Sequence, residues 1–508
     1  MGEGKPHVVA VPSLAQGHLI PFLQLAKLLA SSGGLVVSFI TTQGNAKCLQ
    51  PEVEGSNLDM IRLVSIPMPP IEGVPPGIDN TDNVPMHVVP LLSASSHKLA
   101  GAFEEWLQDH GQMNNTEYPS PVCCIIADMT TGWARRSGAK FGIPSVVFYT
   151  CGAIGMSMMH CVFNSTPQNS VQDEEDEFFE LSEHIFGLRL RKSELTVSWR
   201  DPDSHPLWNF LREEINESME GLGIIINTFY ELESQGIDYI RSLTGKPVWS
   251  IGPLLPPAVL DKTGRIDQEK IRSSRGNAAD IDEGECLKWL DSRRPNSVVF
   301  VCLGSQFFLN EKQIRALASG LDASGQAFVW SIRCPQANLK TACDVGLPEG
   351  FEQRTRDRGL IIWGWAPQLL ILSHPSVGAF LSHCGWNSTL ESISSGVPMI
   401  TWPMFAEQPF NSKLLVERLG IAIQICLDLS GVPDEEEVSR AVIMLLAEEQ
   451  GTAMRRRAEE LSKLAKIVVD KEGSSYMNSE SFVQEMQKLH DNQVAFPDDT
   501  TKNQLLQV

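Results

Sequence analysis

Short, fully apolar runs recur along the chain, each closed by Gly, Pro or small polar residues and followed by a stretch with helical spacing. The first is 7–12 (HVVAVP); after the turn SLAQGH a helical pattern covers about 19–31, with Pro21 in the first turn, where proline is tolerated, and Gly33-Gly34 as the stop. Residues 35–41 predict the next strand, so the chain opens as β-turn-α-turn-β, the unit from which parallel sheets are built. The runs 122–127 (VCCIIA), 143–150 (IPSVVFYT) and 223–228 (GIIINT) continue the alternation, and FYELE begins another helix. After 248–253 the stretch LLPPAVLDKTGRIDQEKIRSSRGNAADIDEG is Pro-containing, charged and aperiodic, which predicts a linker between domains. A second series then starts: helix 286–291 (CLKWLD), strand 297–305 running into a Gly turn, and strands at 328–333, in GLIIWGW and at 377–383 (VGAFLSH). Leu461, Leu464, Ala465 and Val468 have the spacing of an amphipathic helix, and Gly473-Ser474-Ser475 breaks it before a last helix through Leu489. The pattern therefore predicts an α/β protein with two domains, 1–252 and 285–472, a linker at 253–284, a terminal helix at 473–490 and a polar tail at 491–508.

Candidate chemistry gathers where these strands end. Residues 377–383 end in His383, Cys384-Gly385 is a turn, and Asn387-Ser388-Thr389 opens a helix closed by Gly396. A strand, a Gly turn and a helix N-terminus make an anion site, because unpaired N–H groups and the helix dipole converge there. Phosphate is the ligand expected, and His383 is placed to donate to it. His18 lies at the carboxyl end of the first strand and Asp128 at the end of 122–127, the edge where open α/β sheets bind ligands. Plainer readings stand beside these. Ser388 and Glu391 also match an S-x-x-E capping box, and Asp128 a helix cap. Trp365 and Trp386 match core aromatics, and His383 a core imidazole.

Composition narrows the classes. The 508 residues suffice for two cores, and a hydrophobic fraction of 42% is ordinary for a globular protein. A net charge of −21 argues against a nucleic-acid or anionic-membrane surface. An anionic ligand must then be met by local backbone dipoles. The 11 Cys form no CxxC pair, so neither a metal framework nor a disulfide scaffold is expected. No signal-peptide core follows the start MGEGKPHVVAVP, no apolar run is long enough to span a membrane and the final residues are polar, which predicts a cytoplasmic protein. The acidic run 173–177 reads as a solvated loop. A nicotinamide-type oxidoreductase is disfavoured because the first β-turn-α lacks GxGxxG.

The segment 365–408, from WAPQ through HCGWNS to the closing Glu407-Gln408, resembles the signature box of the plant family 1 UDP-dependent glycosyltransferases over its full 44 positions. The resemblance extends over most of residues 7–490. It implies the GT-B fold, two Rossmann-like domains with parallel sheets facing across a cleft, acceptor on the first and UDP-sugar on the second. It implies that Trp365 stacks on uracil beside Ala366, that Gln368 bonds the base or ribose, and that Glu391 takes the ribose hydroxyls. His383, Gly385, Asn387 and Ser388 hold the pyrophosphate together with Gly304 and Ser305, while Trp386, Glu407 and Gln408 line the sugar. The chemistry is consistent with each role: a π-face for a flat base, a carboxylate for a vicinal diol, neutral donors for phosphate. Asp is common in the family where Glu407 stands, and Gln408 accompanies glucose. PxxxQGHxxP, present as Pro12 to Pro21, makes His18 the base, and Asp128, in a similar "IIAD…W" context, its orienting acid. The terminal helix is implied to cross back to the first domain. UDP-glucose is the implied co-substrate, with no metal or other cofactor, and the chain shows no Asp-x-Asp element suited to a donor-bound divalent ion, which agrees with this. The implied acceptor is a small lipophilic molecule, a flavonoid or other plant phenolic first, held by variable segments such as 81–97, 151–163 and 184–208, on a monomer. Other sugars, terpenoid or hormone acceptors, and a non-catalytic UDP-sugar sensor are the alternatives.

Overall fold

The computed structural model describes residues 4–495 except 56–58, 82–83, 85–87, 111–119, 166–169, 171–177, 181–188, 196–198, 200–206, 262–278, 334–345 and 428–430. The acidic run 173–177, most of 184–208 and most of the tail lie outside the described residues. Seven parallel strands build the first sheet: β1 (His7–Val11), β2 (Val36–Thr41), β3 (Ile61–Ser65), β4 (Val122–Asp128), β5 (Ser145–Tyr149), β6 (Ile224–Ile226) and β7 (Val248–Ser250), in the order β3-β2-β1-β4-β5-β6-β7. Six build the second: β8 (Val298–Cys302), β9 (Ala327–Ile332), β10 (Gly359–Trp363), β11 (Val377–Ser382), β12 (Met399–Thr401) and β13 (Ala422–Gln424), in the order β10-β9-β8-β11-β12-β13. Every residue of β1, β2, β4, β5 and β11 is buried. Helices cover both faces of each sheet, which is why these strands read as unbroken apolar runs rather than alternating ones.

Each sheet reverses its winding once, between β1 and β4 in the first and between β8 and β11 in the second. Beyond the carboxyl ends of such a pair the connecting loops part to opposite faces and leave a crevice. Register places the candidate residues there. Val11 pairs with Ala127, which sets Asp128 just past the end of β1. Cys302 pairs with Ser382, which sets Leu303 and His383 level with each other.

The Gln16–Ser31 helix begins earlier than its apolar pattern, because the Ala15 carbonyl already accepts from the His18 and Leu19 N–H groups. His18 thus sits in a first helical turn and not in a loop. The Ser474–Ala495 helix continues through five residues expected as tail. Phe482 and Met486 are buried in the first domain's core with Val8, Leu25 and Phe148. Asn478 Nδ2 donates to Ser250 O at 3.1 Å and Gln493 Nε2 to Val122 O at 3.1 Å, so this helix clamps the first sheet from the far end of the chain. The start of the linker is also packed: Leu255 and Val259 are buried against Leu287, Leu369 and Leu370 of the second domain. Its end becomes helical at Glu283–Asp291, capped by Asp282, whose carboxylate accepts from Glu285 N.

Candidate active site

The two crevices face each other across one cavity of about 250 Å³, bordered on one side by His18, Met129, Thr150 and Cys151 and on the other by the residues of 365–408. Asp128 is fully buried. Its Oδ1 accepts from Thr130 N at 2.9 Å and Thr130 Oγ1 at 2.8 Å, leaving Oδ2 to meet His18 Nδ1 at 2.7 Å. Thr150 Oγ1, just past β5, adds a contact to the same ring nitrogen at 3.1 Å. With Nδ1 held on that side, Nε2 is the ring nitrogen left for a substrate proton. Burial disfavours the His18 imidazolium, but the Asp128 carboxylate, by charge and by hydrogen bond, and Glu407 across the cavity outweigh it, so the pKa is raised above 6.5. His383 is the opposite case: burial with no compensating carboxylate lowers it to about 4, so its ring is neutral at pH 7 and can present an N–H to an anion.

The His383 ring is seated between two glycines. A Cβ on Gly304 would lie 2.6 Å from that ring, and one on Gly385 would lie 2.5 Å from it. Gly304 also holds φ +81°, a conformation that a side chain resists. Gly304→Ala is therefore expected to push His383 out of place and to weaken UDP binding by about tenfold. Calorimetric titration with UDP measures this; an unchanged affinity would detach the ring from the ligand.

The helix that carries HCGWNS spans Trp386–Ser395, one residue longer at its start than the pattern 387–396 implied, with Gly385 as its N-cap and no capping side chain. This removes the capping-box reading of Ser388 and Glu391. Gln368 Nε2 instead donates to Ser388 Oγ at 3.0 Å and to Glu391 Oε2 at 2.7 Å, tying three of the expected donor residues into one cluster at the cavity wall. Ser305, Trp365, Ala366, Asn387, Glu407 and Gln408 border the same cavity. Gln408 Oε1 accepts from Met404 N and Phe405 N, both at 2.9 Å, which shapes the preceding turn. Burial raises the Glu407 carboxyl above its ordinary value.

Two residues expected to meet the donor make contacts that the sequence did not suggest. The buried Trp386 donates its ring N–H to Asn227 O at 2.6 Å, at the end of β6. Asn387 Nδ2 donates to Gly17 O at 2.7 Å, one residue before His18. Both bonds join the domains, so the start of the Trp386–Ser395 helix is fastened to the edge of the first domain that carries the imidazole.

Other contributors also escaped sequence reasoning. Thr150 obeys the strand-end rule used for Asp128 and was open to it. Asp280 was not, since it stands in an aperiodic linker; its Oδ2 accepts from Trp365 N and its own N–H donates to Trp365 O, both at 2.8 Å. Contrary to the expectation of no such element, Asp280-Ile281-Asp282 has the Asp-x-Asp spacing, as does Asp201-Pro202-Asp203 outside the described residues. Asp280 and Asp282 are used as backbone acceptors at Trp365 and at a helix cap. Glu233, buried about 80 residues from its partners, accepts from Ala153 N and Ile154 N and so caps the Ala153–Ser165 helix. Among the described residues no group of three or more His, Cys, Asp or Glu is arranged to hold a metal ion, and no helix is long and apolar enough to cross a membrane.

Residues 277–456 match the UDP-glucoronosyl and UDP-glucosyl transferase family, and residues 5–256 match the glycosyltransferase N-terminal domain. The chain is 35% identical to scopoletin glucosyltransferase of Nicotiana tabacum, over 93% of its own length and 96% of the relative's. It is likewise 35% identical to anthocyanin 3'-O-beta-glucosyltransferase of Gentiana triflora, over 94% and 98%. Among solved structures it is similar to Glycyrrhiza uralensis UGT73P12 complexed with glycyrrhetinic acid 3-O-monoglucuronide, with TM-score 0.83, 27% identity and coverage of 99% and 98%. Phytolacca americana UGT2 complexed with UDP-2fluoro-glucose and pterostilbene superposes with TM-score 0.73, 28% identity and coverage of 95% and 100%.

Proposed function

The chain belongs to the plant UDP-dependent glycosyltransferases, with their GT-B fold, and from that premise we propose that it moves glucose from UDP-glucose to a hydroxyl of a small lipophilic acceptor, a flavonoid or other plant phenolic first. The observation that carries this reading is the 2.7 Å pair of His18 and Asp128 on one wall of a cavity whose other wall holds the signature-box residues.

In the proposed reaction the acceptor hydroxyl lies against His18 Nε2. As its oxygen forms a bond to the anomeric carbon, the proton passes to Nε2, and the imidazolium is stabilised by Asp128 through Nδ1. The bond from the anomeric carbon to the UDP oxygen breaks on the opposite face. One displacement of an α-linked donor then gives a β-glucoside. Charge developing on the departing pyrophosphate falls at the N-terminus of the Trp386–Ser395 helix, near the neutral His383, Ser388 and Ser305. That dipolar arrangement supports a reaction whose co-substrate is UDP-glucose, without a further cofactor. Trp365 is the proposed face for uracil, and Glu391, held by Gln368, the acceptor for the ribose hydroxyls. Gln408, Glu407 and Trp386 are proposed to border the sugar and Asn387 to meet the pyrophosphate, with Trp386 and Asn387 also tied to the other domain through the Asn227 and Gly17 carbonyls. We place the activity in the cytoplasm, on a monomer.

The test is incubation of the purified protein with UDP-glucose and a mixed panel of flavonoids, coumarins, triterpenoids and simple phenols, read by mass for the gain of one hexosyl group, and repeated with UDP-galactose and UDP-xylose. Transfer fastest from UDP-glucose is expected. Transfer faster from either other sugar overturns the glucose assignment, and no transfer from any of them overturns the reaction.

A further inference from the structure

Glu407 and Gln408, both proposed to border the sugar, stand at the start of a helix of six residues, Gln408–Lys413. So short a helix has little stability of its own, and its place is set by what packs on it. Within the second domain, Asn411 Nδ2 donates to Cys384 O at 2.9 Å and to Glu407 Oε1 at 3.3 Å. Further contacts come from the first domain. A Cβ on Gly155, in the Ala153–Ser165 helix, would lie 3.2 Å from Asn411 Oδ1 and 3.5 Å from Glu407 Cβ, so the two helices approach closely. Trp199 meets Phe410 edge to face, with ring centres 5.7 Å apart. The Lys413 side chain is only 7% exposed, and its Nζ lies 3.0 Å from Glu194 Oε1 of the first domain and 3.0 Å from Glu417 Oε1 of its own. Glu194 is itself held, because its Oε2 accepts from Arg191 N at 2.7 Å. Neither Lys413 nor Glu194 borders the cavity.

We propose that the Lys413–Glu194 ion pair is a positioning element for the donor sugar: through it the first domain holds the Gln408–Lys413 helix, and with it Glu407 and Gln408, in the place the sugar requires. The inference rests on the reading of the cavity as a UDP-sugar site. A nearly buried ammonium must be paired. Glu417 follows Lys413 by one turn and moves with it, whereas Glu194 belongs to the other domain, so of the two bonds it is the one to Glu194 that ties the helix across the cleft. When that bond is removed from the Glu194 side, the ammonium keeps the Glu417 carboxylate, so the chain stays folded while the helix gains freedom. Uracil, ribose and pyrophosphate are assigned to residues off this helix. A loosened helix therefore changes what the sugar meets and not what UDP meets. Glucose and galactose differ in the orientation of one hydroxyl, so the preference between them is the property most sensitive to that freedom.

The experiment compares full-length wild type, Glu194→Gln, Lys413→Met and the double variant, with thermal midpoints confirming that each is folded. It measures kcat/KM for UDP-glucose and for UDP-galactose with one acceptor, and the dissociation constant of UDP by calorimetry. Each single variant is expected to lower kcat/KM for the better donor by about fivefold and to narrow the preference between the two sugars, with UDP affinity within about twofold of wild type. The double variant is expected to be no worse than Lys413→Met, because the two residues act as one unit. An unchanged kcat/KM and preference in both single variants overturns the proposal, as do additive losses in the double variant. UDP affinity that falls in step with kcat/KM also overturns it, since the pair would then be general support for the second domain. If Lys413→Met does not fold, Glu194→Gln decides. Wild-type protein that transfers neither sugar would defeat the donor reading itself and not merely the role of this pair.

Discussion

His18→Ala is expected to lower turnover with an aliphatic alcohol acceptor by about 10³-fold while leaving the dissociation constant for UDP within about twofold. The separation follows from where the parts come from. The imidazole belongs to the first turn of a helix in the first domain, and the uridine, ribose and pyrophosphate contacts are assigned to the second. The second domain grips this turn through the Gly17 carbonyl, a backbone atom that the substitution retains. An alcohol loses its proton only as the new bond forms, so it depends fully on the base. An acidic phenol, partly ionised already, depends on it less, and the loss should shrink as the acceptor pKa falls. Steady-state rates across acceptors of graded acidity, with UDP titrations on the same preparations, measure both. Equal loss of turnover and of UDP affinity would refute the role given to His18.

Asp128→Asn is expected to produce the next largest effect, a fall of about 10²- to 10⁴-fold in kcat, accompanied by a displaced pH profile. Thr130 donates twice to Oδ1, which keeps a carbonyl oxygen on that side and turns the new amide NH₂ toward His18 Nδ1. Nδ1 must then accept, the proton moves to Nε2, and the nitrogen facing the substrate ceases to be a base. The pH consequence has a definite sign. The base must be neutral to act, and in the wild type its pKa is raised above 6.5, so activity falls as pH drops through that higher value. Without the carboxylate, burial is the dominant influence and lowers the pKa. The acidic limb of the residual activity therefore moves to lower pH in Asp128→Asn. A limb that stays in place, measured as kcat/KM against pH, would show that the carboxylate does not act on His18.

These expectations show how unevenly the site could be read in advance. His18 and Asp128 were legible because each ends an apolar strand, and the edge they share is a property of any open parallel sheet. That Nδ1 and not Nε2 faces the acid, and that Thr150 joins them, depends on β1, β4 and β5 lying side by side, which strand spacing alone does not specify. The 365–408 segment was legible because strand, turn and helix are continuous in sequence, so local propensity governs all three. Even there the helix start was misplaced by one residue, since Gly385 serves as N-cap through its backbone and no side chain marks it. Trp386 and Asn387 illustrate the limit. Their neighbours in the chain suggest a ligand, but the Asn227 and Gly17 carbonyls that take their N–H groups are brought in by another domain.

The amino-acid order by itself determined the elements, their parallel character and the edge where chemistry gathers, because burial on both faces demands continuous apolar strands and because Gly, Pro and polar clusters punctuate them. Only the tertiary structure decided which distant residues complete the site: Asp280 behind Trp365, Arg333 against its ring, Glu233 capping a helix 80 residues away, and the final helix docked on the first sheet. The first three are polar or charged groups whose partners lie far along the chain, and such pairings leave no periodicity to read. They arise when two packed layers have already set the distance between them.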